Sequence, residues 1–381
     1  MSRRDLWTVM RVIHIGALLA VAVSASPAFG QAYQVTDLGT LGGPGSTGYG
    51  MNNSGQVVGS SRTAGYVDHA FLFDGTMMDI GTLGDSGVTV AYGISNSGQI
   101  TGVSNSAAGP KHAFLVSNGH MTDLGTLEGI GSLGSAVNSL GQVTGYAYTT
   151  PNDLVTYHAF LYSSGTMTDL GTLGGTTSWG TGINDAGEVV GFSDTTGDAA
   201  TRAFIGDAAG LIDIGTLGGT WSAAEAVNAN GEVTGESAVI ASSLWHAFLY
   251  KNGQMTDLGT LNGGYSSGYG INASGQVVGQ SDGRAFLYTD GKMVDLNALL
   301  AHDPTGPLAL YTYLTEARAI NDLGWIVANG YDGSGALHAY LLTPIPLPGT
   351  LWLLISGIVV AATPQRRIGG LRVERRSGGP H

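Results

Sequence analysis

Aspartate recurs along this chain at Asp37, Asp79, Asp123, Asp169, Asp213, Asp257 and Asp295, most often opening a block like Asp123-Leu124-Gly125-Thr126-Leu127. Carboxylates in that number, turned toward one axis, would bind cations strongly. A second regularity points elsewhere. A His or Arg precedes all but the first of these aspartates by ten or eleven residues, as in His112 with Asp123, His158 with Asp169, Arg202 with Asp213 and Arg284 with Asp295. A hairpin of that length brings donor and acceptor to the same end of neighbouring strands, so each pair reads as a charge-assisted hydrogen bond. A group present in every repeat serves the repeat, whereas active sites break symmetry. No metal is expected from this set.

Other chemistry is sparse. Gly264-Tyr265-Ser266-Ser267-Gly268 fits the pattern of a nucleophile elbow, but that motif needs a strand feeding a helix and this segment lies among glycines. No His pair has zincin spacing and no phosphate-binding loop occurs, so no cofactor is expected. Asp194 and Asp198, with Thr195 and Thr196 between them, read as a cation site or, more simply, a solvated turn. Cysteine is absent, which excludes disulfides and thiolate metal sites. The formal charge is −13; setting aside the eight arginines and two acids of the termini leaves seven basic against 26 acidic residues. Such a body repels phosphate backbones and excludes nucleic acid as a partner.

The elements that must position these groups come from four short blocks in fixed order. The Asp block is first, and the second ends in Ile-Asn, as at Ile183-Asn184 and Ile271-Asn272. The third is Gly-Gln-Val-Val-Gly, as at Gly55–Gly59, and the fourth is His-Ala-Phe-Leu-Tyr, as at His158–Tyr162. Turn signals bound every block, and recurrent glycine argues against helix. Asn118-Gly119 and Asp74-Gly75 are strong hairpin signals. Two hairpins per roughly 44 residues give four strands, which predicts an all-β, seven-bladed β-propeller. The first block stands alone at the N-terminus and the last His block has no successor. The outer strand of the last blade should therefore come from the N-terminus, setting His338 against Asp37.

With two tight turns at one end of each blade, the longer connections must emerge at the other. They and their neighbours carry Tyr66, Tyr146, Tyr148, Trp179, Trp221, Trp245 and Tyr265. Aromatic faces stack on sugar rings, which makes these the candidate ligand-binding residues. Trp179 and Trp221 have a competing reading as packing between blades.

The block order is similar to the bacterial HAF repeat, named for blocks such as His112-Ala113-Phe114, over nearly all of residues 33–343. The resemblance implies an extracellular repeat protein and no particular activity. Arg202 and Arg284 stand where the repeat has His, and Tyr340 where it has Phe.

The ends read as addresses. Residues 1–30 have arginines at Arg3, Arg4 and Arg11, an apolar core and small residues Ala28 and Gly30, as a secretory signal peptide does. A retained short anchor is the alternative. Residues 31–345 form the propeller region. Residues 346–367 comprise Pro346-Leu347-Pro348, an apolar stretch and Arg366-Arg367, and residues 368–381 form a basic, disordered tail. The apolar stretch would make about 21 Å of helix against a hydrocarbon core of about 30 Å, marginal as a permanent span. Residues 346–367 resemble the PEP-CTERM sorting signal in a Pro-Leu-Pro variant. That resemblance implies secretion machinery and an exosortase as partners, transient inner-membrane anchoring, and delivery to the surface of bacteria that make exopolysaccharide. The resulting expectation is an exported, non-enzymatic surface or matrix module that binds exopolysaccharide or a surface protein. A carbohydrate hydrolase or lyase and a plain structural spacer stand as alternatives.

Overall fold

The computed structural model describes residues 31–84, 87–107, 109–240, 243–301 and 313–346. The signal-peptide and tail readings lie outside the described residues, as do Leu347, Pro348, Arg366 and Arg367; Pro346 is described and exposed. Among the described residues no helix is long and apolar enough to cross a membrane.

Seven four-stranded antiparallel sheets make up the fold, a seven-bladed β-propeller. In the third blade the strands are Ser132–Val137, Val143–Tyr148, Tyr157–Ser163 and Thr166–Asp169, paired in that order. The first strand of each blade touches the first strands of both neighbours, and this circuit closes between Gly42–Met51 and Tyr313–Ile320. First strands are therefore innermost and the Asp-bearing strands outermost.

Ring closure uses both ends of the chain. The last blade takes Tyr313–Ile320, Ile326–Tyr331 and Leu337–Pro344 from the C-terminal side and Tyr33–Asp37 as its outer strand. The register runs from Tyr33 opposite Pro344 to Asp37 opposite Tyr340. Tyr33 is buried in a cluster with Leu296, Leu314, Tyr340 and Leu342. His338 Nδ1 lies 2.8 Å from Asp37 Oδ2.

The core sits between blades. Phe160, Val143 and Ala147 of the third blade pack on Ala113 and Leu124 of the second, and equivalent clusters recur around the ring. The His-Ala-Phe block divides three tasks. Its His meets the outer-strand Asp, and its Phe fills the cluster. Its Ala N–H crosses to the next blade: Ala113 N donates to Ser132 Oγ at 2.9 Å and Ala159 N to Ser178 Oγ at 2.8 Å.

A second polar seam rings the axis at the Ile-Asn blocks. Asn138 Nδ2 donates to Asn184 O, Asn184 to Asn228 O, Asn228 to Asn272 O, Asn272 to Asn321 O, Asn321 to Asn52 O and Asn52 to Ser95 O, all at 2.9–3.3 Å. Ser95 breaks the series, because its hydroxyl is spent on Ser97 and the Gln99 N–H. Ser97 Oγ bridges to Ser139 O instead, at 3.2 Å.

Two outcomes follow from this architecture. Deleting residues 33–41 should abolish the single cooperative unfolding transition, followed by circular dichroism in urea; fraying of one end with the main transition intact would contradict ring closure. Ser95→Asn should complete the asparagine ring and raise unfolding free energy by about 1 kcal/mol. An unchanged urea midpoint would show that Ser97 already supplies the whole seam.

Candidate ligand site in the axial channel

Each innermost strand carries a β-bulge at the same place. The extra residue is Tyr49, Tyr92, Ser135, Thr181, Glu225, Tyr269 and Arg318 in the seven blades. A bulge re-aims its side chain out of the regular alternation. All seven are half-buried. Each stands between Gly or Ala, as in Gly48-Tyr49-Gly50 and Ala224-Glu225-Ala226. The small neighbours are needed because inner strands nearly touch: a Cβ on Gly50 would lie 2.8 Å from Tyr92 O of the next blade.

These side chains meet across blade boundaries. The Arg318 guanidinium lies over the Tyr269 ring at 4.3 Å and 6.0 Å from the Tyr49 ring centroid, and Tyr49 is 5.1 Å from Tyr92. Arg318 also acts electrostatically on Glu225, two blades away, as expected if both face the axis. Arg318 pairs with Glu316 at 2.8 Å. Burial works against its charge, and Glu316 outweighs it, raising the guanidinium pKa further.

Glu225 retains partial exposure to the channel but is surrounded by protein. Desolvation, with the neighbouring Glu236 carboxylate, pushes its carboxyl up to about 7. Burial likewise raises Glu236, against the opposing hydrogen bond from Ser267 Oγ. Tyr269 is raised to about 12 by burial and stays a neutral phenol. Polar groups thus collect on the fifth, sixth and seventh blades. The facing third and fourth blades offer Ser135, Thr181 and Trp179, whose Nε1 donates to Ser135 Oγ at 2.8 Å. At the Ile-Asn end of the inner strands lies a cavity of about 220 Å³ ringed by Asn138, Asn184, Asn228, Asn272 and Asn321.

The aromatic candidates fall into two groups and one outlier. Tyr146, Tyr148 and Trp179 cluster with Tyr157 and Phe192, Tyr146 and Trp179 being 4.5 Å apart. This group packs the third blade on the fourth. Trp221, Trp245 and Tyr265 form a second group, with Trp245 4.1 Å from Tyr265 and 5.9 Å from Trp221. Tyr265 is 42% exposed. Tyr66 stands alone on a loop tip, 73% exposed.

The recurrent aspartates lie on the outermost strands, away from the axis. His112, His158 and His246 approach Asp123, Asp169 and Asp257 at 2.8–2.9 Å, and Arg284 approaches Asp295 at 2.8 Å. The same carboxylates accept from the backbone two residues on, as Gly125 N does to Asp123 Oδ1 at 2.8 Å, turning the chain toward the next blade. Gly125 has φ +75°, which glycine adopts without strain. Arg202 is a correction: it forms no ion pair with Asp213, an exposed carboxylate for which water competes well. Asp194 and Asp198 are taken up by Thr177, Thr201 and Thr176 hydroxyls at 2.6–2.9 Å, which satisfies them as turn-builders. Ser266 of the elbow-like motif is buried and accepts Ala247 N at 2.8 Å, a blade seam. Among the described residues no group of three or more His, Asp or Glu is placed to hold a metal ion.

No family model matches the chain, and no curated protein matches it. Solved structures similar to it include the WD40 β-propeller domain of Doa1, at 13% identity and TM-score 0.43, covering 80% of this chain and 96% of that one. A mutant of AofleA from Arthrobotrys oligospora aligns at 9% identity and TM-score 0.36, over 70% of this chain and 90% of that one. Porphyromonas gingivalis dipeptidyl peptidase 4 aligns at 12% identity and TM-score 0.36, over 74% of this chain and 50% of that one.

Glu225 makes stability depend on pH. The folded chain holds its proton more tightly than the unfolded chain does, so its contribution is full below about pH 4.5 and is lost as pH rises through about 7. Glu225→Gln should therefore be more stable than the parent at pH 8, by about 3 kcal/mol at most, with the difference vanishing near pH 4. Urea titrations at the two pH values check this; a difference independent of pH would place Glu225 in a solvated setting.

Proposed function

We propose that the protein is an exported surface or matrix module whose propeller binds extracellular polysaccharide without transforming it. The observation carrying this reading is the aromatic group Trp221, Trp245 and Tyr265. It sits at the end of the blades opposite the tight turns, at the boundary of the fifth and sixth blades, with Tyr265 open to solvent. Connections on a rigid scaffold are where recognition usually lies, and stacked rings offer a sugar an apolar face with polar edges. The acidic body favours neutral or cationic glycans over polyanions. Export through the secretion machinery and handling by an exosortase belong to this reading through the two chain ends.

A hydrolase or lyase is the second reading, favoured by one observation: Glu225, pushed up to about 7 by burial and the neighbouring Glu236 carboxylate. Paired carboxyls, both raised by burial, are the kind of groups that acid–base cleavage of glycosides uses. Product analysis separates the two readings, since only the second releases new reducing ends or unsaturated sugars.

A glycan array probed with the full chain, followed by titration of each hit, tests the leading reading. The double substitution Trp245→Ala and Tyr265→Ala should weaken retention at least tenfold and leave the urea midpoint nearly unchanged, because both rings are partly exposed. Retention equal to the parent's would remove the aromatic group from recognition.

A further inference from the structure

We propose that the glycan lies across the low sixth blade, between Trp245 and Tyr265 on one side and Tyr313 on the other, with Arg284 beneath it, and that the chain held there is linear, uncharged and several sugars long. The inference rests on the polysaccharide reading and deepens it, naming the class of chain and two residues, Arg284 and Tyr313, that the reading does not use.

The groove comes from one departure from the repeat. In the sixth blade the ladder between Val277–Ser281 and Arg284–Thr289 stops at Ser281 opposite Arg284, and residues 282–283 alone join the two strands. In each of the other six blades this ladder runs one pair further, as at Ala238 opposite Trp245 in the fifth and Tyr331 opposite Leu337 in the seventh. One more residue along a strand adds about 3.4 Å, so the sixth blade stands lower than both its neighbours. Asp282 and Gly283 make so short a connection possible, because both adopt the positive φ that a two-residue hairpin needs. The pair that rises above this floor carries an aromatic on each side. In the fifth blade Trp245 is part of it, and in the seventh Tyr313 pairs with Tyr331.

The rings are held and still open. Tyr265 N donates to Asp282 Oδ1 at 3.0 Å, and Tyr265 O accepts from Asp282 N at 3.0 Å. That close approach needs glycine at 264, where a Cβ would collide with the Asp282 carboxylate. The backbone of Tyr265 is therefore fixed, while its ring leans on Trp245 and keeps a solvent-exposed face. Tyr313 is exposed as well. Tyr265 is bonded to one side of the 281–284 hairpin, and Tyr313 neighbours the other side through Arg284. A single sugar cannot face both rings across that hairpin, so the arrangement suits a chain.

Arg284 supplies the polar contact between the rings. It stands where five of the seven repeats have His. One of its terminal nitrogens donates to Asp295 Oδ2 at 2.8 Å. A guanidinium carries five donors in a planar fork, and with the side chain 44% exposed the others can reach adjoining sugar hydroxyls. The hydrogen bond from Asp295 does most to raise the guanidinium pKa, and Tyr313 is near enough to be the next influence. Charge then selects the ligand. Asp282 and Asp295 both act on Arg284, two carboxylates for one cation, on an already acidic body. A polyanion is repelled. An uncharged chain offers hydroxyls to Arg284 and its apolar faces to the rings.

Isothermal titration of the full chain with linear hexamers and dimers of glucose, mannose and galactose, and with a hexamer of galacturonate, tests the proposal. At least one neutral hexamer should bind at least tenfold more tightly than its dimer, and the galacturonate hexamer should not bind. Tyr313→Ala and Arg284→Ala should each weaken that hexamer at least tenfold, whereas Tyr313→Phe, which keeps the ring, should bind as the parent does. A urea titration of each variant distinguishes lost binding from lost fold. Equal binding of hexamer and dimer, or parental binding by both alanine variants, would overturn the extended groove and leave the polysaccharide reading standing on Trp245 and Tyr265. Preference for the galacturonate hexamer would overturn the charge argument and the proposal with it. Failure of every neutral hexamer to bind would overturn the proposal and the polysaccharide reading together.

Discussion

The asparagine that ends six of the seven innermost strands, with Ser95 in its place in the second blade, is the bond-maker on which the ring depends. Asn228 Oδ1 accepts from Asn230 N at 2.9 Å and Glu232 N at 3.0 Å, which shapes the turn to the second strand. Its Nδ2 donates to Glu232 Oε2 at 2.7 Å and, across the blade boundary, to Asn272 O at 2.9 Å. One side chain thus fixes a turn within its blade and the contact with the next. Only an amide combines two acceptor positions with two donors in a plane; Asp lacks the donors and Leu lacks both. Apolar clusters between blades supply most of the burial energy, but they are non-directional and tolerate a range of blade angles. Directional bonds repeated at every boundary narrow that range until the ring closes.

That arrangement leaves a few positions of each inner strand free to vary, the bulge residue among them. The Asn seam, the Ser seam and the buried Phe occupy the rest of each repeat, and the flanking Gly or Ala residues are held small by the neighbouring strand. The bulge residue varies around the ring, and some copies serve the seams, as Thr181 does in donating to Ala224 O and Ser135 in accepting from Trp179 Nε1. A propeller of identical blades would put seven identical side chains there. This chain puts one cation, one acid, three phenols and two hydroxyls there.

Much of the fold was legible because its signals are local and repeated. Asn-Gly and Asp-Gly turns, the block order and the orphan strand at each end led directly to a ring closed by Tyr33–Asp37. The spacing of His158 and Asp169 was readable for the same reason, since one hairpin joins them. The channel layer was not. Its signature, a variable residue between two small ones just before Ile-Asn, stands in every repeat, but a period-two reading treats it as ordinary strand. The bulge is a backbone event, and Glu225 meets the influence of Arg318 only after the chain has travelled through another blade. The aromatic residues show the opposite limit. Their type suggested sugar binding uniformly, and only the three-dimensional arrangement separates Trp179, bonded to Ser135 between blades, from Trp245 beside the exposed Tyr265.

Glu225 is a group the fold would be better without on stability alone. Burial and the neighbouring Glu236 carboxylate work against its charge, although the side chain keeps partial exposure. It stays in place because its surroundings are over-determined. Thr181 Oγ1 donates to Ala224 O at 2.9 Å from the preceding blade, and the Asn228 turn follows three residues later. Held on both sides by seams between blades, the bulge cannot relax away from the axis without breaking bonds that serve the entire ring. The repeats and the irregular layer are thus parts of one frame: seven nearly equal blades hold Glu225 in a place where burial works against its charge.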